Sequence, residues 1–322
     1  MSARPEPTAG ELTCGIDIGG TKIAGAVVDA EGRILVEEQV ESPATDPTAL
    51  EATVASLVAR LCAGLSVKAV GVGAAGYIAA DRSTVLFAPN IAWRNEPLGA
   101  DLSRLTGLPV LVENDANAAA WAEARFGAGR GVADQLMVTV GTGVGGGIVT
   151  GGRLLRGAHG IGAEIGHLCL VPDGRLCGCG NHGCLEQYGS GSALVADTRE
   201  AAAGSSLLAR ALLQRAGGDP AAITGPMITA AAQEGDRFAI AQLARLGGWL
   251  GRGLASLAAV LDPALIVVGG GVSTAGDLLL EPMRTTFEAE LTGRGFRPAA
   301  QFRLAELGVR AGVIGAADLA RT

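Results

Sequence analysis

The sequence predicts an α/β protein made of two similar halves, and three observations lead to it. Apolar, β-branched runs alternate with alanine- and leucine-rich stretches of helical length, the pattern of strands joined by long crossovers. The chain has 322 residues, more than one core usually supports. The segment CGIDIGGTKIAGAVVDAEGRIL (14–35) also has an echo in MVTVGTGVGGGIVTGGRLL (137–155). Each reads as a β-rich run, a Gly/Thr turn, a second apolar strand, a Gly-Arg turn and a third strand.

The elements follow in order. Residues 1–12, MSARPEPTAGEL, lack a charged-then-apolar signal pattern and read as a disordered tail. After the first hairpin, 48–64 reads as a helix and KAVGVGAAGYI (68–78) as a buried strand. PVLVEND (109–115) is a further strand, running into a helix at AAAWAEARF (118–126). In the second half HLCLV (167–171) is expected to be a strand, followed by a cysteine knot and alanine-rich helices over roughly 192–260. PALIVVGGGVS (263–273) reads as a strand ending in a glycine turn, and AGVIGAADLAR (311–321) as a closing helix. The expected domains are 13–113 joined by about 306–322, and 114–305.

Composition excludes several classes. Lys+Arg 25 against Asp+Glu 32 gives a net charge of −7 with no basic stripe, which argues against nucleic-acid binding. The most apolar stretch, 253–276, contains Asp262-Pro263 and a glycine triplet, so no membrane span is expected. Four of the six cysteines lie between 169 and 184, with Cys14 and Cys62 remote singles. A long, cysteine-poor chain is no secreted disulfide scaffold, and the expected compartment is the cytoplasm.

The glycine turns carry the first chemistry. GTGVGG (141–146), with Glu164 beyond it, has the spacing of a dinucleotide fingerprint. That motif must open a helix, however, and GGIVTGGRLL continues as a strand. No G-x-x-x-x-G-K-[ST] occurs either. The pair of hairpins reads instead as a phosphate clamp. Asp17 can hold Mg²⁺ through water, and Gly19, Gly20 and Thr21 offer backbone and hydroxyl donors, with Lys22 adding charge. Gly141, Thr142, Gly143 and Gly145 do likewise from the second half.

CGCGNHGC (177–184) supplies C-x-C-x4-C, which one imidazole completes to the closed His-Cys₃ set of a structural zinc. The spacing leaves His167 and His182 both open as the fourth ligand, with Cys169 as a competitor. Absence of C-x-x-C disfavours a redox centre. In ENDAN, Asn114 and Asp115 fall where a strand ends and a helix begins, the place where ligands gather in open α/β sheets. On those residues alone Asp115 is a helix cap or a catalytic carboxylate.

DIGGTK, ENDAN, GTGVGGG, the run E-I-G-H (164–167) and CGCGNHGCLEQYGSG together resemble the ROK family of sugar kinases and sugar-responsive repressors. The resemblance covers about residues 13–320, with the motifs in the family's order. It implies the actin-like ATPase (ribonuclease H-like) fold, two α/β domains flanking an active-site cleft. It also implies a zinc bound by His167, Cys177, Cys179 and Cys184. Glu164, Glu186, Asn114 and the second ring nitrogen of His167 are then expected on sugar hydroxyls, with weaker matches at Gly76 and Asn90. Asp115 would accept the proton of the attacking hydroxyl. VVGGGVS (267–273), with Gly270 and Gly271, would border adenine.

The implied activity is transfer of the γ-phosphoryl group of Mg-ATP to the 6-hydroxyl of glucose. Mannose, fructose, N-acetylated hexosamines and polyphosphate as donor are the alternatives within the family. A repressor is expected to carry a helix-turn-helix of some tens of residues before the first hairpin, where about a dozen precede Cys14 here. Family members imply a homodimer or homotetramer. Because the phosphate hairpins lie elsewhere in the chain, the knot is expected to bear on sugar binding and spare ATP.

Overall fold

The computed structural model describes residues 11–89, 91–204 and 207–321. These divide into two compact units. One comprises the described residues up to Gly131, Gly147–Ala163 and those from Glu306 on; the other comprises Val132–Gly146 and Glu164–Ala305.

The first unit opens with three strands, β1 (Leu12–Ile18), β2 (Lys22–Val28) and β3 (Ile34–Glu41), paired antiparallel in sequence. Helix α1 (Pro47–Leu61) starts where the sequence marks a start. Asp46 accepts a hydrogen bond from the Ala49 amide at 3.0 Å, and Pro47 needs no partner in the first turn. Strand β4 (Val67–Ala74) returns parallel to β1. A small sheet follows, β5 (Tyr77–Ile78), β6 (Val85–Phe87) and β7 (Arg94–Glu96), then α2 (Leu98–Thr106). Strand β8 (Val110–Asn114) lies parallel to β4 and runs into α3 (Asp115–Phe126). The main sheet has the order β3-β2-β1-β4-β8.

The second half repeats the plan. Strands β9 (Gln135–Val140), β10 (Val144–Thr150) and β11 (Arg153–Leu154) precede the knot. The helices α4 (Glu186–Gly189), α5 (Gly191–Gly204), α6 (Arg210–Arg215), α7 (Gly225–Gln233) and α8 (Arg237–Leu261) follow it. Strand β12 (Leu265–Gly269), α9 (Asp277–Glu290), β13 (Gln301–Leu304) and α10 (Ala311–Leu319) close the chain. The sheet order is β11-β10-β9-β12-β13, with β12 parallel to both β9 and β13. Two sheets of one topology are what the internal echo implies.

In the first unit the core lies on both faces of the sheet. Leu50, Val54, Leu57 and Leu61 of α1 pack with Ile16 and Ile23 on one side. Val313, Ile314 and Ala317 of α10 pack with Ala26 and Val28 on the other. The approach of α10 needs bare backbone beneath it. A β-carbon on Gly15 of β1 would lie 1.9 Å from the Val313 carbonyl oxygen, and one on Gly71 of β4 1.8 Å from that of Ala316. Among the described residues no helix is long and apolar enough to cross a membrane.

Four expectations shift. Leu12, expected in the tail, opens β1 and is buried; residues 1–10 lie outside the described residues. The expected domain boundary at 113/114 falls between residues of one unit, because α3 packs against α10. The expected long strand 68–78 ends at Ala74, and Tyr77 begins the small sheet. HLCLV is no strand. The amides of Leu170 and Val171 both donate to the Gly183 carbonyl, at 2.8 and 3.2 Å, so the segment bends around the knot.

Candidate active site

The carboxyl ends of β1, β4 and β8 bring Asp17, Gly73 and Glu113 into one row, and Asn114 follows one residue on, paired with Ala74. Asn114 is the cap of α3: its Oδ1 accepts from the Asn117 amide at 3.0 Å, and its Nδ2 donates to the Gly76 carbonyl at 3.1 Å. Asp115 is therefore the first residue of the helix and is released from capping. Its Oδ1 accepts from the following amide, Ala116, at 2.9 Å.

Asp17 and Asp115 are both half-buried. Burial pushes the Asp115 carboxyl above the usual carboxylate range. Burial, and then the charge of Asp115, push Asp17 up to about 7. A β-carbon on Gly312, at the start of α10, would sit 2.5 Å from Asp17 Oδ2, so this glycine keeps room for the carboxylate. Two desolvated carboxylates facing each other suit a divalent cation or a shared proton.

The first hairpin is closed by the Gly19 amide donating to the Lys22 carbonyl at 3.0 Å, which leaves Gly20, Thr21 and Lys22 exposed at its tip. Gly76 serves a neighbour: its absent side chain makes room for the Phe87 carbonyl, 2.4 Å from where a β-carbon would stand. Asn90 lies outside the described residues.

In the second unit the Gly141 amide donates to the Gly143 carbonyl at 3.0 Å, closing the other turn with Thr142 exposed. Gly145 falls within β10, beyond the turn itself. Beside this turn opens a cavity of about 850 Å³, lined by Gly141, Thr142, Ser192, Arg199, Gln233 and Gly271 among others. Gly270 has φ +86° and stands against the Val140 carbonyl, whereas Gly271 faces open space. Arg199, Ser192 and Gln233 carried no readable signal in sequence, because alanine-rich helices offer many polar positions that look alike.

The knot gathers four donors. One nitrogen or sulfur from each of His167, Cys177, Cys179 and Cys184 lies within 4.8 Å of the others. Cys179 Sγ and Cys184 Sγ are 3.7 Å apart, and Cys177 Sγ is 3.6 Å from His167 Nδ1. A tetrahedral zinc with Zn–S about 2.3 Å and Zn–N about 2.1 Å has S···S edges of ~3.8 Å and S···N edges of ~3.6 Å. The donor set fits such an ion. His182 is exposed outside it, and its carbonyl accepts from Cys169 Sγ at 3.5 Å. With Nδ1 toward the sulfurs, His167 leaves Nε2 for another partner. Glu164 begins the single turn Ile165–His167. Glu186, the first residue of α4, accepts from the Val144 amide at 3.0 Å.

One charged group was overlooked in ENDAN. Glu113 is 2 % exposed and accepts from Arg156 Nε at 2.6 Å and from Asn117 Nδ2 and the Asn114 amide at 3.2 Å, with Arg82 at 3.8 Å. Its cationic partners, Arg156 and Arg82, lie far away in sequence, so no local pattern reveals them.

The ROK family model matches residues 13–322. The chain belongs to the ROK family. Among ROK relatives, a glucokinase of Streptomyces coelicolor is 50 % identical over 310 residues, 96 % of this chain and 98 % of that protein. The crystal structure of a ROK glucokinase from Streptomyces griseus, in complex with glucose and AMPPNP, superposes with a TM-score of 0.88 at 51 % identity. It covers 96 % of this chain and 99 % of its own. The ROK hexokinase of Thermus thermophilus gives a TM-score of 0.78 at 36 % identity, over 96 % and 98 % of the two chains. These ROK neighbours have the actin-like ATPase fold, and the paired sheets above are its two α/β halves.

Proposed function

We infer that this chain is a glucokinase that transfers the γ-phosphoryl group of ATP to the 6-hydroxyl of glucose. The observation that carries the reading is the near-complete likeness to glucokinases, one of them described with glucose and AMPPNP. Asp115, freed from helix capping by Asn114 and kept basic by burial, accepts the proton of the attacking hydroxyl. Asn114, Glu164, Glu186 and His167 Nε2 hold the other hydroxyls, with Gly76 and Asn90 beside them. The cavity lined by Gly271, which follows Gly270, takes the adenosine end, and the hairpin amides and hydroxyls of Gly19, Gly20, Thr21, Gly141, Thr142 and Gly143 take phosphate, with Lys22 adding charge.

Asp17 suits a water-shelled Mg²⁺, which when bound neutralises charge on the phosphates. His167, Cys177, Cys179 and Cys184 would hold zinc in a closed set that fixes the orientation of His167. The reading places the protein in the cytoplasm, as a homodimer or homotetramer.

A coupled assay over a panel of sugars and phosphoryl donors tests it. Glucose with ATP should give the highest kcat/KM, with mannose, fructose and N-acetylmannosamine lower by at least about tenfold. A higher value for another sugar, or for polyphosphate in place of ATP, would overturn the assignment.

A further inference from the structure

The turn 141–143 and the segments expected to bear the sugar ligands meet at one residue, Val144. Its side chain and backbone are withdrawn from water, at 7 % exposure, and a buried amide needs a partner. That partner is Glu186 Oε2 at 3.0 Å, a charge-assisted bond. A β-carbon on Gly143 would lie 2.2 Å from the same Oε2, so only glycine lets the carboxylate lie against the turn. On the other side, a β-carbon on Gly166 of the E-I-G-H run would fall 2.2 Å from the Val144 carbonyl oxygen. The Gly191 amide donates to the Gly141 carbonyl at 2.8 Å, tying down the start of the turn. The knot anchors the contact, because Cys184 and Leu185, just before Glu186, are fully buried.

We propose that Glu186 is a positioning residue for the second phosphate hairpin as well as a sugar ligand. Oε2 anchors the hairpin through the Val144 amide, Oε1 is left for the sugar, and Gly143 is the gap through which the two are linked. This rests on the glucokinase reading for its sugar half and on the contacts above for its hairpin half. It changes the role of Gly143: the atom its missing side chain accommodates is a carboxylate oxygen of the protein. A sugar hydroxyl that orients Glu186 thereby steadies the amides offered to phosphate, and the two substrates bind with positive coupling.

Three variants test the link: Glu186→Ala, Glu186→Gln and Gly143→Ala. Glutamine keeps a carbonyl for the Val144 amide, and alanine keeps nothing. Retained metal content and an unshifted unfolding midpoint show that each variant is folded. Calorimetric binding of AMPPNP without sugar reads the hairpin half, and KM for glucose reads the sugar half.

Glu186→Ala should weaken AMPPNP at least about tenfold, the usual scale for losing a bond to a charged group, and raise the glucose KM. Glu186→Gln should restore AMPPNP binding to within about threefold while glucose KM stays high. Gly143→Ala should weaken both ligands with the carboxylate still present, and it stands as the test if Glu186→Ala does not fold. AMPPNP binding within about twofold of the parent in both Glu186→Ala and Gly143→Ala would overturn the link and leave the glucokinase reading intact. Weakened AMPPNP with an unchanged glucose KM would instead overturn the sugar half of the proposal.

Discussion

Asp115 owes its freedom to its neighbour. Because Asn114 supplies the cap, the aspartate that follows spends one oxygen on its own helix amide and keeps the other for the proton transfer proposed above. Asp115→Asn keeps the shape and removes the basicity, so turnover should fall by at least about a hundredfold while glucose binding stays within about tenfold. Near-parental turnover in a steady-state assay would remove Asp115 from the mechanism. The pH profile follows from the same burial. A base works ionised, and a folded pKa raised above the ordinary carboxylate value of about 4 means that activity is lost as pH falls through that raised value. The acid limb of kcat/KM should therefore lie well above the ordinary range. Asp17 is pushed up to about 7 by burial and then by the charge of Asp115, so Asp115→Asn should bring the Asp17 carboxyl back toward the ordinary range in an NMR titration. A limb at about 4 in the parent enzyme would show that the carboxylates are solvated during turnover.

At the scale of elements, the placement of these aspartates depends on α10 lying directly on β1 and β4. The contact is backbone on backbone: Gly71 has no room for a methyl group above it, with the Ala316 carbonyl oxygen 1.8 Å from a β-carbon position. Gly71→Ala must push the helix outward and should cost about 1–3 kcal/mol in urea unfolding, the range for overpacking a well-filled core. Gly204→Ala, at the end of α5 with nothing within 4 Å of the new carbon, should be neutral or slightly stabilising. Equal stability of the two variants would mean that α10 does not press on the sheet. Alternation of strands and helices was legible for β1, β4, β8, α1 and α10, because each has an uninterrupted apolar face. HLCLV shares that apolarity yet bends, since the Gly183 carbonyl takes two of its amides and its pairing stops at an isolated bridge between Cys169 and Cys184.

Across the whole molecule, the knot connects through Glu186 to the turn at 141–143. From the spacing of motifs, loosening it would be expected to spare ATP. The Glu186–Val144 bond alters that, because the segment anchored by Cys184 also holds the second phosphate hairpin. Cys177→Ala or Cys184→Ala should lose about one zinc per chain by elemental analysis, and should raise KM for ATP as well as for glucose. His182→Ala should keep the metal, since His167 Nδ1 is the nitrogen that faces the sulfurs. Zinc lost with His182 and kept without His167 would reverse the ligand assignment.

The sequence by itself determined the duplicated α/β plan, the two glycine hairpins, the place of Asp115 after a strand, and the stock of sulfur donors. Each of these is local: periodic burial, turn chemistry or spacing along a short stretch. Tertiary structure alone decided that Asn114 caps α3, that His167 joins the cysteines, that Glu113 meets Arg156, and that Glu186 reaches the hairpin 42 residues before it. Those outcomes depend on which buried amides and charges the folded path brings together. A desolvated polar group takes the partner within reach, and reach is set by the whole backbone.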